Sequence, residues 1–476
     1  MDIQIQRKDP VRCLIPKTTM EGMRVPGLLY ADGKILSEVR DDPVLQQVIN
    51  VACLPGITGF SFAMPDMHWG YGFPIGGVAA FSSEGGVVSP GGVGYDISCG
   101  VRLHISRLAE EAVRPVLPSL LDALFAAIPC GVGSEGLTMQ KGSRLDAVLE
   151  GGAGWAVRNG FGEKSDLERI EHAGCLEGAD PGEVSGRAKE RGQGQLGSLG
   201  SGNHFLEIQR VDEIFDRSLA SSFGLEAGRV TVMIHCGSRG LGHQVCDDFL
   251  RTLSRSVTRL GIRIPDRQLV CAPLDSAEGK AYLGAMQAAA NFAMANRQAI
   301  GSRVREVFSR FFPGEPLHLL YDVSHNLALV EKHFYDGKEG LFCVHRKGAT
   351  RALPPGHPSL PPVYSKTGQP VIIPGSMGTA SYVLAGAAGA AECFFSTCHG
   401  AGRVKSRSAA LKALNAKEVS ASLEQKGILV RAGDLRTLGE EAPEAYKDVD
   451  LVVDVVERAG LSRKVARLAP IAVIKG

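Results

Sequence analysis

Val230-Thr231-Val232-Met233-Ile234-His235-Cys236-Gly237-Ser238-Arg239-Gly240 decides how the rest of the chain is read. A short run of apolar and β-branched residues, closed by a glycine-rich stretch, predicts a strand buried on both faces. Its C-terminal end delivers His235 into a loop, and strand ends followed by such loops are where α/β proteins place their chemistry. A second strand of this kind, over 317–323, delivers Ser324-His325-Asn326. Shorter buried strands are expected over 78–81 and 86–88, and a strand-like run over 451–456. Helices are expected near 44–53, 406–415 and 418–425, with helical stretches and polar loops over 114–200. Across 276–312, Ile300, Val304, Val307, Phe308 and Phe311 fall on one helical face, which reads as a packing helix. The fold class is therefore mixed α/β (α+β). With no repeat, low-complexity tract or clear linker, 1–476 reads as one unit with a largely helical insertion near 240–315.

Bulk composition narrows the function classes. The chain has 476 residues, enough for a large core, with 44% hydrophobic and 22% charged residues, as in ordinary soluble proteins. Net charge is +1, so any nucleic-acid site has to come from local clusters of Lys and Arg. There are 59 glycines among 476 residues, about 12% against an average of roughly 7%, which implies many tight turns and backbone-lined pockets. The 11 cysteines include no Cys-x-x-Cys pair, which excludes a zinc ribbon and a disulfide framework. Met1-Asp2-Ile3-Gln4-Ile5-Gln6-Arg7 is no signal peptide, and no apolar run of about 18 residues could span a membrane. A cytoplasmic location is the expectation.

Several stretches carry chemistry. Gly94-Tyr95-Asp96-Ile97-Ser98-Cys99-Gly100 holds a carboxylate and a thiol within one turn of chain. A thiolate can bridge two metals, although a free cysteine is more often a small buried hydrophobe. In Gly202-Asn203-His204-Phe205-Leu206-Glu207, strand alternation puts His204 with Leu206 on one face and Asn203, Phe205 and Glu207 on the other. Asp96, Cys99, His204, His235 and His325 thus make five candidate ligands of types that Mn(II), Zn(II) or Fe(II) accept. Asp66 and His68, two apart in Pro65-Asp66-Met67-His68, lie near a site or stabilise a turn, and spacing does not decide between these. Ser396-Thr397-Cys398-His399-Gly400-Ala401-Gly402-Arg403 sets one histidine among small residues, where a ligand can approach the backbone and a bare imidazole can attack phosphorus.

Gly192-Gln193-Gly194-Gln195-Leu196-Gly197 matches G-x-G-x-x-G, but charged residues precede it instead of a buried strand, so a dinucleotide fold is rejected. The basic residues there, Arg187, Lys189 and Arg191, suggest a phosphate-contacting loop or a solvated charge run. His345-Arg346-Lys347-Gly348-Ala349-Thr350-Arg351 and Pro374-Gly375-Ser376-Met377-Gly378-Thr379-Ala380-Ser381 read as loops suited to phosphates or a base. Arg346, Lys347 and Arg351 are expected to flank the site with the first basic cluster and contact phosphates. There is no G-x-x-x-x-G-K-[ST] loop and no K-x-D-G nucleophile, which excludes P-loop NTPases and lysine-dependent nucleic-acid ligases.

Taken together and in this order, these motifs resemble the RtcB-type tRNA-splicing RNA ligases over nearly the whole chain, from Pro65-Asp66-x-His68 to Lys475. The resemblance implies a fold of β-sheets around a deep dinuclear metal cleft with inserted helices. It implies a GTP- and Mn(II)-dependent enzyme that joins RNA 2′,3′-cyclic phosphate or 3′-phosphate ends to 5′-hydroxyl ends. The family's nucleophile falls on His399, which would be guanylylated. Asp96, Cys99 and His204 would hold one Mn(II), and Cys99, His235 and His325 the other. Asn203, His204, Phe205, Leu206, Glu207, His325 and Asn326 would contact the guanylate. So would Pro374, Gly375, Ser376, Met377 and Ser381, with Gly400, Ala401, Gly402 and Lys475, while Tyr446 offers a ring for guanine. Arg239 and Lys347 are positive groups available to RNA or phosphate. Partners implied are RNA such as tRNA halves, an activating archease, and no membrane. Two other readings stand beside this one: a dinuclear metal phosphoesterase or nuclease using the same ligands, and a non-enzymatic RNA-binding factor with a structural metal.

Overall fold

Arg229–Cys236 forms the expected strand and lies inside the larger of the two main sheets of the computed structural model, which describes residues 3–137 and 143–476. Across that eight-stranded sheet the order is His318–Ser324, Gly100–Ala109, Arg229–Cys236, Phe205–Ile214, Ser462–Lys475, Ser381–Gly386 and Pro370–Ile373. Leu429–Ala432 adds a parallel strand beside Ser462–Lys475, whereas every other neighbour is antiparallel. Antiparallel alternation gathers strand starts and strand ends at one edge. Register places Lys475 opposite Phe205, Phe205 opposite His235, and His235 opposite Val101. Gly100, at a strand start, pairs with both Cys236 and Ser324, which are strand ends. The two outermost strands, His318–Ser324 and Pro370–Ile373, pack together, so the sheet curls nearly closed.

The second sheet has seven strands in the order Gln6–Asp9, Arg12–Ile15, Gly27–Tyr30, Ile57–His68, Ile75–Ser82, Lys338–Lys347 and Asn326–Tyr335. His325 is the single residue between a strand of the first sheet and a strand of the second. A short pair, Ala349–Arg351 with Ser396–Cys398, carries the chain to His399. The residues that the sequence singles out therefore stand where the two sheets meet.

Helix Ala277–Phe311 runs for 35 residues from a Ser276 cap whose hydroxyl accepts from the Gly279 amide. Ile300, Val304, Val307 and Phe308 are buried on it, as the helical spacing predicts. Packing is only half of its role. Asn296, Arg297 and Gln298 are also fully buried, and Arg297 donates to the carbonyls of Ser98 (2.7 Å) and Cys236 (3.1 Å), to Ser324 Oγ (3.2 Å) and to Asp322 Oδ1 (2.9 Å). Arg102, opposite Asp322 on the neighbouring strand, donates to its other oxygen at 2.7 Å. No helix among the described residues is long and apolar enough to cross a membrane.

Two local expectations are corrected. The 451–456 run is not a strand but part of helix Val449–Arg458, capped by Asp448, with Val449, Val452, Val453, Val455 and Val456 buried. β-branched residues favour strands only weakly, and one apolar helical face with a capped start overrides that preference. The 345–351 stretch is not a loop: it ends strand Lys338–Lys347, turns at Gly348 and continues as Ala349–Arg351, all buried. Gly348 has φ of 60°, and a Cβ there would stand 2.9 Å from His399 Cε1.

Asp322→Ala would leave two guanidinium groups buried without their counter-charge, and the expected loss is about 3–5 kcal/mol. Urea denaturation of the purified variant measures it. A midpoint equal to that of the parent protein would show the cluster to be energetically idle.

Candidate functional site

The five candidate ligands converge at the shared edge. Cys99 Sγ lies 3.4 Å from His204 Nε2 and 3.2 Å from His235 Nε2. His235 Nε2 and His325 Nε2 are 3.3 Å apart, and His204 Nε2 lies 2.7 Å from Asp96 Oδ2. Two triads result, Asp96–Cys99–His204 and Cys99–His235–His325, with ligand atoms within 4.8 Å of one another and Cys99 common to both. Burial, with neighbouring positive groups, holds His235 and His325 well below the usual imidazole range. Both rings are thus neutral and aim lone pairs at one point, an arrangement that suits a cation between them. Nitrogen, oxygen and a shared sulfur together fit borderline divalent ions.

His399 stands next to this cluster, its ring centroid 4.8 Å from that of His325. Asp66, fully buried near the end of strand Ile57–His68, fixes it: one carboxylate oxygen accepts from His399 Nδ1 (2.6 Å), the His399 amide (2.9 Å) and the Gly400 amide (3.2 Å). Burial alone would raise the Asp66 pKa, but His399 and the amide donors hold it below its ordinary value. The carboxylate keeps the proton on Nδ1 and leaves Nε2 as the nitrogen that can attack. Gly402 makes the close approach possible, since a Cβ there would meet the Asp66 carbonyl oxygen at 2.2 Å.

A cavity of about 880 Å³ opens beside His399. Its walls include Asn203, Phe205, Pro374, Gly375, Ser376, Met377, Gly400, Ala401, Gly402, Tyr446 and Lys475, so most of the expected nucleotide contacts share one space. Lys475 Nζ donates to the Gly202 carbonyl at 2.8 Å and lies 5.5 Å from the Phe205 ring centre. Burial lowers its pKa to about 8, and burial raises that of nearby Glu207 to about 8.

The family model described as tRNA-splicing ligase RtcB matches residues 47–476. The chain belongs to the RtcB family. It is 53% identical over 479 residues to a tRNA-splicing ligase RtcB of Thermococcus kodakarensis, covering 100% of this chain and 99% of that protein. It is 55% identical to one of Archaeoglobus fulgidus, over 97% of each. An RNA-splicing ligase RtcB of Mycobacterium tuberculosis is 55% identical over 90% of this chain and 100% of its own length.

Within this RtcB chain some expected contacts are placed elsewhere. Lys347 does not present its amine to RNA: the side chain is buried and Nζ donates to the carbonyls of Tyr71, Phe73 (3.2 Å) and Gly91 (3.1 Å). Burial pushes its pKa down to about 7. Arg346 and Arg351 are likewise buried, in ion pairs with Glu331 and Glu171, and do not flank the cleft. Arg187, Lys189 and Arg191 lie on helix Gly186–Gln193, not in a loop, and Lys189 pairs with Asp146 at 2.8 Å. Leu206 packs into the apolar cluster on the opposite face of the sheet. Asn326 spends its amide on main chain, donating to the Asp96 carbonyl (3.0 Å) and accepting from the Gly348 amide (2.8 Å). Glu207 and Ser381 meet through Gln209, and Ser381 Oγ accepts from the Gly375 amide at 3.1 Å, bracing the cavity wall. Arg239 is held by Ser198, Ser134 and the Gly131 carbonyl at 3.0–3.3 Å.

Sequence reading left one participant undecided and missed three. Asp66 had an even case at best, because its partner His399 is 333 residues away. Arg403, Arg407 and Glu441 also line the cavity, with Arg403 over the Tyr446 ring at 5.0 Å and on Glu441 at 3.1 Å. Only the position of Arg403 in the His399 motif offered any signal.

Metal binding must displace protons here. Burial, then Asp96, pushes the Cys99 thiol up to about 12, and His204 is raised well above the usual range despite its burial, by Cys236 and Asp96. The Cys99 value lies above neutral pH and that of His204 is raised, so raising pH removes competing protons and tightens binding. Affinity for Mn(II), followed by titration calorimetry between pH 6 and 8, should rise about tenfold per pH unit for each proton displaced. Cys99→Ala should cost metal at both positions. A pH-independent affinity, or full stoichiometry in Cys99→Ala, would contradict the shared thiolate.

Proposed function

We propose that this chain is a GTP- and Mn(II)-dependent RNA ligase that joins 2′,3′-cyclic phosphate or 3′-phosphate RNA ends to 5′-hydroxyl ends, in tRNA splicing or RNA repair. One observation carries the reading: an imidazole oriented through Nδ1 by a buried carboxylate, beside both a cavity of nucleotide size and a five-ligand cluster. Membership of the RtcB family supports it.

His399 Nε2 attacks the α-phosphorus of GTP, forming a P–N bond as the bond to the β-phosphate oxygen breaks and pyrophosphate leaves. Asp66 stabilises the positive charge that the ring acquires, as a carboxylate behind a histidine does in other nucleophilic sites. Phe205, Tyr446 and the 374–377 main chain form the walls for the guanosine, and Arg403, Lys405, Arg407 and Lys475 are the cations on the same walls. An RNA 3′-phosphate oxygen then takes the guanylate from His399, breaking the P–N bond, and the 5′-hydroxyl attacks the activated phosphorus with loss of GMP. A cyclic phosphate is first opened by hydrolysis. Asp96, Cys99, His204, His235 and His325 would hold two Mn(II) ions, which when bound neutralise phosphate charge. A nuclease using the same ligands would have no need of His399 held on Asp66.

Labelled GTP with Mn(II) should leave an acid-labile, alkali-stable label on His399. His399→Ala should lose the label yet still join RNA supplied with a guanylylated 3′-phosphate. Asp66→Asn, which keeps the shape but not the charge, should slow labelling by about a hundredfold or more. Label on a lysine, or RNA shortened instead of joined, would sink this mechanism.

A further inference from the structure

The centre has an end that the nucleotide reading leaves unused. Contacts run in a line from His399 to His325, His235, Cys99, His204 and finally Asp96. The nucleotide cavity opens beside His399 and reaches Tyr71 on its wall, whereas Tyr95 and His243 do not line it. At the Asp96 end three rings form a ladder. Tyr71 meets Tyr95 edge-on, with centroids 5.5 Å apart. Tyr95, adjacent to Asp96 in the chain, lies face to face with His243 at 4.7 Å and 28°. Tyr71 and Tyr95 are half-buried against the cluster around Cys246 and Leu250, whereas His243, on helix Arg239–Ser256, is exposed. One face of the imidazole is thus held flat on a tyrosine, and the residue itself is exposed to solvent.

Charge around the ladder favours a polyanion. Arg239 begins the helix that carries His243. Arg191, exposed on the packed helix Gly186–Gln193, donates to Gln244 at 3.0 Å, one residue along from His243. Asp96 and Asp247 are the acidic groups that face the ring, and Asp96 is already engaged with His204 and the Ser238 amide. Flat rings next to arginines, opening on a reaction centre, are how single-stranded nucleic acid is held without regard to sequence, because every base has a π-face.

We propose that the Tyr71–Tyr95–His243 ladder seats an unpaired nucleobase of the RNA being joined, stacked on the other face of His243 with Arg191 beside it for the adjoining phosphate. The proposal rests on the RNA-ligase reading above. It gives the RNA a seat on His243, which lies outside the nucleotide cavity while Tyr71 at the other end of the ladder borders it, so that both can occupy the site in one step. The base belongs to one of two ends, that of the 3′-phosphate strand or that of the 5′-hydroxyl strand.

The test uses the full-length protein loaded with Mn(II) and RNA carrying 2-aminopurine at either terminal base. Binding to the parent protein should quench the fluorescence at one of these positions, which identifies the end. His243→Ala, a surface change that does not threaten the fold, should abolish the quench and raise KM for RNA about tenfold with kcat little changed. His243→Trp should restore both, which a merely structural role would not do, and Tyr95→Ala should behave as His243→Ala does. Quenching at neither position, or an unchanged quench and KM in His243→Ala, would overturn the ladder. Failure of the parent protein to join any RNA would instead strike at the ligase reading, and the quench would still decide the ladder.

Discussion

One guanidinium holds the reaction centre in place. Arg297, in the middle of a buried helix, binds the carbonyls of Ser98 and Cys236, the hydroxyl of Ser324 and the carboxylate of Asp322. The first three of those groups sit next to Cys99, His235 and His325 in the chain, so a single cation ties three strand ends from which the candidate ligands project. A buried charge of this kind is costly unless every donor is satisfied, and a satisfied one admits few alternative arrangements. Asp322 balances two arginines at once, which fixes the register between strands His318–Ser324 and Gly100–Ala109 where the ligands leave them.

The four histidines of the centre differ by their neighbours. His235 and His325, buried among positive groups, are neutral and offer lone pairs. His204 is drawn towards the protonated form by Cys236 and Asp96, against its burial. His399 has its own carboxylate, Asp66, from the other sheet, which leaves a nitrogen facing the cavity. The imidazoles that offer lone pairs and the one held on a carboxylate are therefore separated by orientation and local charge, although they lie within a few ångströms. Two sheets are needed for this, because the ligands come from the edge of one and the orienting carboxylate from a strand of the other.

The strands over 230–234 and 317–323 were legible because apolar runs bounded by glycine or polar residues have few other folds. The loop that contributes Pro374, Gly375, Ser376 and Met377 to the cavity wall was legible through its small residues, and the candidate ligand set through residue types at strand ends. Other readings failed where long-range neighbours override local chemistry. Lys347 and Arg346 look like surface cations in the chain but are buried, because backbone carbonyls and Glu331 satisfy them. The valines over 451–456 look like a strand but lie on one face of a capped helix.

What the sequence by itself determined is an inventory: a mixed α/β chain, histidines and a cysteine at the ends of buried strands, and a histidine bare among glycines. Periodicity and residue type carry that much because they depend on a few neighbours along the chain. Only the tertiary structure decided that Asp66 serves His399, that Cys99 lies between two triads, and that Arg297 ties the strand ends together. Each of these joins residues from distant parts of the chain. Charge and hydrogen bonding act through space over a few ångströms, and sequence distance says nothing of them until the sheets have formed.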